Sequence, residues 1–238
     1  MKLTIGMASF NNFSEVWWTI QSLIMYHDLT DIELIVVDNY GDDVMRDFLA
    51  SWCPQVRYIC YLDKQGTAAP RNHIFEVAQG DWVFCIDSHV MFPAGTLDRL
   101  KQWLTDNHDC MDLLQGPIMY DDQRTTADAW DDVWAGEMWG LWRVAQVDPA
   151  AEPYEIPMMG LGLFGCRKDA WLGFNPEFRG FGGEEGYIHE KYRQAGRRTL
   201  CLPFLRWLHY FHTRNGVVTS PYLPMRADKI RNYEIGFA

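Results

Sequence analysis

The chain predicts an α/β fold with a mostly parallel central sheet flanked by helices. Four apolar runs recur in the first ninety residues, helix-compatible stretches separate them, and polar residues cluster where each run ends. Leu3–Ala8 reads as the first strand. Ser14, with Trp17 three residues on, marks a capped start for a helix over 14–27. Glu33–Val37 is the second strand, and Asp42 opens a helix over 42–51 in the same way. Val56–Tyr61 is the third strand, Thr67 precedes a small-residue helix over 68–79, and Trp82–Ile86 is the fourth strand. Parallel sheets bind ligands beyond the carboxyl ends of their strands. Ser9–Asn12, Asp38-Asn39, Asp63–Gly66 and Asp87–His89 all fall there. No Gly-x-Gly-x-x-Gly follows the first strand and no Walker A run is present, which argues against a dinucleotide-binding dehydrogenase and a P-loop enzyme.

The stretch 105–158 is less regular and carries an acidic, Trp-rich segment. Trp130 and Trp134 are four apart, and Trp139 and Trp142 three apart, a spacing that predicts one or two helical faces. Core packing is the favoured role for these rings, with a sugar-stacking platform as the alternative. With no internal repeat and no low-complexity linker, residues 1–238 are expected to form one domain.

Composition narrows the class further. No uninterrupted apolar run approaches the length of about 18 residues that a membrane helix needs, and Met1–Met7 reads as a strand, not a secretory signal. Six cysteines show no CxxC pair and several lie in strand-like runs, which predicts free thiols in a reducing, cytoplasmic setting. The net charge of −11 argues against non-specific nucleic-acid binding over the whole surface. From Tyr187 onward, however, nine Lys/Arg stand against three Asp/Glu. That basic quarter suits a diphosphate or a polyanionic acceptor, or is simply a solvated helix face.

The segment Gly80-Asp81-Trp82-Val83-Phe84-Cys85-Ile86-Asp87-Ser88-His89 is the most specific local signal. In an extended backbone residues i and i+2 share a face, so Asp87 and His89 aim together and Ser88 turns away. One oxygen and one nitrogen ligand side by side suit a divalent ion such as Mn²⁺.

Three blocks in order resemble a GT-A glycosyltransferase of the family 2 type: Ile35-Val36-Val37-Asp38-Asn39, the helix Gly66–Asn72 leading to Asp87-Ser88-His89, and Gly180-Phe181-Gly182-Gly183-Glu184-Glu185. The similarity covers most of residues 1–212. The Asp-Ser-His form of the metal motif is similar to that of polypeptide N-acetylgalactosaminyltransferases. This resemblance implies a GT-A (Rossmann-like nucleotide-diphospho-sugar transferase) fold, with a nucleotide-binding half over about 1–105, an acceptor half over about 106–212 and a C-terminal loop or lid over 213–238. It implies a Mn²⁺ (or Mg²⁺) site at Asp87, His89 and His209, with His212 as the neighbouring alternative for the third ligand. His212 replaces the arginine of that family, so Arg214 is the substitute diphosphate contact. Asp38 is expected at the nucleobase or ribose, Arg71 at the diphosphate and Ser9 at the nucleotide.

Glu184 and Glu185 open a helix after two glycines, where the dipole alone stabilises carboxylates by about 0.3–1 kcal/mol. By resemblance Glu185 is the general base of an inverting enzyme, while Glu184 contacts the sugar or its surroundings in a retaining one; carrying both leaves the stereochemistry open. The implied activity is metal-dependent transfer of a hexose from a nucleotide sugar, most simply a UDP-sugar, to a hydroxyl. A saccharide, a lipid-linked sugar, a protein hydroxyl or, for a phage source, a modified DNA base remain open as acceptors. The stem, membrane anchor and lectin domain of the Golgi enzymes have no counterpart in these residues, which implies a bacterial or phage relative. Neither the donor sugar nor the oligomeric state is written in these motifs. A nucleotidyltransferase would show a glycine-rich basic loop after the first strand, and Met7–Asn12 has none. A catalytically silent sugar- or nucleotide-binding module would have no need of a metal triad.

Overall fold

The computed structural model describes residues 1–120, 122–210, 213–214, 217–218 and 225–237. Four strand–helix units build its first half. They are β1 (Leu3–Ser9), α1 (Phe13–Tyr26), β2 (Ile32–Asp38), α2 (Asp43–Trp52), β3 (Val56–Cys60), α3 (Ala68–Val77) and β4 (Trp82–Asp87), followed by β5 (Val90–Met91) and α4 (Thr96–Asp106). These bounds agree with the expected elements to within one or two residues. The second half comprises β6 (Leu113–Gln115), β7 (Ile118–Met119), β8 (Thr126–Ala135), β9 (Met138–Ala145), β10 (Tyr154–Glu155) and β11 (Leu163–Arg167). Then come α5 (Glu184–Gln194), β12 (Thr199–Cys201), β13 (Trp207–His209), β14 (Thr213–Arg214), β15 (Val217–Val218) and α6 (Arg226–Gly236).

The large sheet runs in the order β10-β12-β6-β11-β4-β1-β2-β3. Its β4-β1-β2-β3 half is parallel, as expected, and so is β12 with β6. β11 runs antiparallel to both neighbours and β10 antiparallel to β12, so the sheet as a whole is mixed. The parallel strands are buried on both faces. Along β4, Trp82, Phe84 and Ile86 join one apolar cluster while Val83 and Cys85 join the other. That explains why these strands read as continuous apolar runs. Gly6 lets α3 settle on β1, since a Cβ there would lie 2.3 Å from Ile74 Cγ2.

The starts of the helices depart partly from expectation. Asp42 does cap α2, its side chain accepting from the Met45 amide at 3.0 Å. Ser14 is not the cap of α1; the helix begins one residue earlier, after Asn12, with no side-chain cap. Thr67 precedes α3 without capping it and bonds elsewhere.

The Trp-rich segment is a β-hairpin, not a helix. Trp130 stands opposite Trp142 and Trp134 opposite Trp139 in the β8–β9 ladder. Their rings meet edge-to-face at 5.1 and 5.3 Å. Spacings of three and four match a helical face, but cross-strand aromatic pairs satisfy the same rings, and Gly136 at φ +63° supplies the turn. Trp130 is buried in the core, whereas Trp134 is 56% exposed. The hairpin belongs to a second sheet, ordered β5-β13-β7-β8-β9. All six cysteines are free thiols. Among the described residues no helix is long and apolar enough to cross a membrane.

Candidate active site

The site begins where β4 ends. Asp87 is anchored through its amide to the Gly162 carbonyl at 2.9 Å. The turn that follows is pinned by α1: Thr19 Oγ1 donates to the Ser88 carbonyl at 2.8 Å and accepts from the Val90 amide at 3.1 Å. Asn12 donates to Ser88 Oγ at 3.1 Å. Ser88 is therefore turned inward, leaving Asp87 and His89 together.

β13 returns antiparallel to β5, setting His209 opposite Val90, and the Tyr210 amide donates to the His89 carbonyl at 3.0 Å. As a result His89 Nε2 and His209 Nε2 stand 3.0 Å apart, with their rings nearly perpendicular at 88°. Asp87 Oδ2 lies 3.5 Å from His209 Nε2 and 4.0 Å from His89 Nε2. One ligand atom from each of the three residues falls within 4.8 Å of the others. Two imidazole nitrogens and a carboxylate oxygen at this spacing fit a divalent transition ion, and fit Mn²⁺ better than Mg²⁺, which favours oxygen alone.

Arg71 completes the arrangement from behind. Its guanidinium donates to Asp87 Oδ1 at 2.7 Å, and it is only 7% exposed. Burial opposes the charge on Asp87, but Arg71 and the two imidazoles outweigh it and hold the carboxyl well below the usual carboxylate range. Burial likewise works against the charge on Arg71, while Asp87, Glu184 and Glu185 overcome it. Gly162 allows the close approach here: a Cβ would lie 2.7 Å from the Trp207 ring and 3.2 Å from Asp87 Oδ2. Gly160-Leu161-Gly162 ahead of an apolar strand is the sequence signal of such an approach.

At the end of β1, Ser9 is buried and its hydroxyl has no hydrogen-bond partner among the described residues. Asp38, at the end of β2, is fully buried. Its oxygens accept from the amides of Tyr40, Gly41 and Asp42 at 2.9, 3.0 and 2.6 Å and from the Tyr58 hydroxyl at 2.6 Å. Asn39 ties the next loop, donating to the Tyr61 and Lys64 carbonyls and accepting from the Gly66 amide.

The acidic motif sits across from α3. Gly180 bridges to Gly66, and the Thr67 amide donates to the Gly180 carbonyl at 2.9 Å. Glu184 is 1% exposed and takes the Thr67 hydroxyl and the Gly182 amide on its two oxygens. Glu185 is thus the carboxylate of the pair that is not tied to this loop. Burial first, then the charge of Glu184, pushes Glu185 up to about 8. One turn on, His189 is fully buried with Nδ1 at 2.6 Å from the Glu185 carbonyl, and burial lowers it to about 4, so the ring is neutral at physiological pH.

Helix α6 clamps the same loop. Asn232, 1% exposed, donates to the Arg179 and Gly182 carbonyls at 2.7 and 2.9 Å and accepts from the Arg179 amide at 3.0 Å. No local sequence signal marks this residue. Because Asn232→Ala strands three backbone groups, it is expected to destabilise the protein by about 2–3 kcal/mol, read as a lower urea midpoint. An unchanged midpoint would show that the clamp contributes nothing. His212 and the side chain of Arg214 lie outside the described residues.

Residues 4–170 match the family described as Glycosyl transferase family 2. The chain belongs to that family. The match contains Asp38, Arg71, Asp87 and His89, while Glu184, Glu185 and His209 lie beyond it and are joined to them by the contacts above. No curated protein matches the chain. Among solved structures, this family 2 chain is similar to GalNAc-T7 with UDP, GalNAc and Mn²⁺, at 18% identity and TM-score 0.74, covering 99% of this chain and 47% of that one. It is similar to Staphylococcus aureus TarS 1–349 with UDP-GlcNAc, at 16% identity and TM-score 0.68, covering 99% and 65%. The mannosyltransferase PcManGT from Pyrobaculum calidifontis, with GDP-Man and Mn²⁺, matches at 16% identity and TM-score 0.58, covering 90% and 58%. These likenesses establish the GT-A fold, and the chain spans about half to two-thirds of the length of each of these relatives.

Proposed function

We propose that this family 2 glycosyltransferase moves a hexose from a UDP-sugar to an acceptor hydroxyl with Mn²⁺ as cofactor. The observation that carries the reading is the convergence of Asp87, His89 and His209 within 4.8 Å, backed by buried Arg71. GalNAc-T7 and TarS, which share the fold, are seen with UDP or UDP-GlcNAc, and two of the similar structures hold Mn²⁺. Residues from about 1 to 105 serve the nucleotide and those from about 106 to 212 the acceptor. Six free thiols accord with a cytoplasmic setting.

Transfer breaks the bond between the anomeric carbon and a diphosphate oxygen, and negative charge grows on the departing diphosphate. Asp87, His89 and His209 would hold a Mn²⁺, which would supply Lewis-acid neutralisation of that charge. Arg71 keeps Asp87 ionised and aimed; it acts on the diphosphate through this carboxylate. The unpaired Ser9 hydroxyl offers the nucleotide a hydrogen bond. Asp38 acts on the base or ribose by shaping the loop at Tyr40–Asp42. Glu185 accepts the acceptor hydroxyl proton as the oxygen attacks the anomeric carbon, and the diphosphate leaves with the electron pair. Glu184 positions that helix start.

The test is nucleotide release from UDP-, GDP-, CMP- and dTDP-sugars, with Mn²⁺ and with EDTA. Metal-dependent release from a UDP-sugar is expected. Absence of both turnover and nucleotide binding would overturn the reading in favour of a silent module.

A further inference from the structure

One buried side chain ties the Glu185 end of α5 to the Asp87 side of the site. The buried positions of α5 are Glu184, Gly186, Ile188, His189 and Tyr192. Ile188 and Tyr192 join an apolar core cluster, and an apolar residue at position 189 would pack there at no polar cost. His189 instead brings a fully buried imidazole, which needs partners at its nitrogens to offset the lost water.

Both nitrogens are met. Nδ1 lies 2.6 Å from the Glu185 backbone carbonyl, and the Met159 amide approaches Nε2 at 3.3 Å. Gln115 Oε1 also stands 2.9 Å from Nε2. Gln115 is turned that way because its nitrogen donates to the Gly160 and Leu163 carbonyls at 2.9 and 3.3 Å. Burial, with Arg193 adding to it, lowers His189 to about 4, so the ring carries one proton. The Met159 amide is a donor and needs Nε2 bare, which puts the proton on Nδ1, donated to the Glu185 carbonyl. Gln115 Oε1 then flanks the ring without a bond to it.

The far side of this bridge is the segment that anchors the metal carboxylate. Met159 leads into Gly160-Leu161-Gly162, and the Gly162 carbonyl accepts the Asp87 amide at 2.9 Å. Gln115, itself fully buried, holds the segment on either side of Gly162. A short path therefore runs from the Glu185 backbone through His189 to the residue that anchors Asp87.

We infer that His189 is a positioning residue that sets the start of α5, and with it the Glu185 carboxyl, against the Asp87 end of β4. The inference rests on the reading of Glu185 as the base of the proposed transfer. His189 acts through the Glu185 backbone. Asp87 keeps supports of its own, the Arg71 guanidinium and the Gly162 carbonyl. Losing the bridge should therefore displace the base and leave the metal and donor sites in place. A misplacement of about 1 Å can cost about 10²-fold in rate.

Two variants of the full chain test it. His189→Phe keeps a ring of similar size and removes both hydrogen-bonding nitrogens, whereas His189→Gln keeps one donor and one acceptor. Metal-dependent nucleotide release from the donor, in which Glu185 serves the attacking water, is measured per folded protein. In His189→Phe its kcat should fall about ten- to hundredfold, with donor KM and Mn²⁺ affinity within about twofold of the parent. His189→Gln should lose less, recovering about threefold or more. A carbon-13 NMR titration of the glutamate carboxyls, with Glu185→Gln to assign the signal, reads the same bridge without turnover. The Glu185 midpoint, about 8 in the parent, should fall by at least about half a unit in His189→Phe as water reaches the loosened helix start, while Arg71, Asp87, Glu184 and Tyr233 still face it. A kcat within about twofold of the parent, a loss carried by KM instead of kcat, or an unmoved Glu185 titration in both variants overturns the inference and leaves His189 to packing alone. If His189→Phe does not fold, His189→Gln carries both readouts, with smaller losses of the same sign expected. No release from the parent removes the glycosyltransferase reading, and the carboxyl titration then decides the bridge by itself.

Discussion

His89→Ala is expected to lower Mn²⁺-dependent nucleotide release by about 10²–10³-fold or more, the usual cost of losing a preorganised charge stabiliser. The fold should survive, because the His89 side chain is partly exposed and ends no buried ion pair with a permanent charge. Asp87→Ala is a poorer test. It leaves the Arg71 guanidinium buried beside no partner at Asp87 Oδ1, an uncompensated charge that costs about 3–5 kcal/mol in comparable buried pairs. Loss of activity there would mix chemistry with unfolding. Thermal shift separates them: Mn²⁺ at a hundred times its dissociation constant stabilises a binding-competent protein by about 2.7 kcal/mol and should leave His89→Ala unmoved. Turnover near the parent's level would remove the metal assignment.

Glu185→Gln is expected to stop sugar transfer while donor binding persists. The carboxyl has Glu184 beside it on α5, Arg71 facing it from α3, Asp87 from β4 and Tyr233 from α6. Burial and Glu184 prevail and push it up to about 8. A base with that value is about nine-tenths protonated at pH 7, so transfer should rise about tenfold between about pH 7 and about pH 9. The stability sign runs the other way. The unfolded carboxyl releases its proton near 4.5 and the folded one near about 8. Between those values the native state holds the extra proton, and stability contributed by this group falls as pH rises. Glutamine removes that loss, so the variant should gain on the parent in melting temperature from about pH 5 to about pH 8. Transfer unchanged in Glu185→Gln would point to Glu184 or to a retaining mechanism.

Much of the site was legible because its parts are local. Asp87 and His89 stand two residues apart at the exit of β4, and both-sided burial of β4 follows from its unbroken apolar run. Other residues have a partner that the sequence does not name. Arg71 donates to Asp87. Asp38 holds three loop amides. A charged side chain at a strand end has several possible partners, and only the loop path chooses among them. The Trp segment misled because spacings of three and four fit a helical face and also a hairpin with paired rings.

What the sequence by itself determined was the strand–helix order of the first half and the metal-competent pair at the exit of β4. Each of these depends on residues within a few positions, where backbone geometry sets direction. Tertiary structure alone decided that His209 meets His89 from 120 residues away, through the β13–β5 ladder. It alone placed Asn232 under the Gly182 loop. The physical reason is that long-range hydrogen bonds and ion pairs are fixed by which elements pack together, and that choice belongs to the whole core.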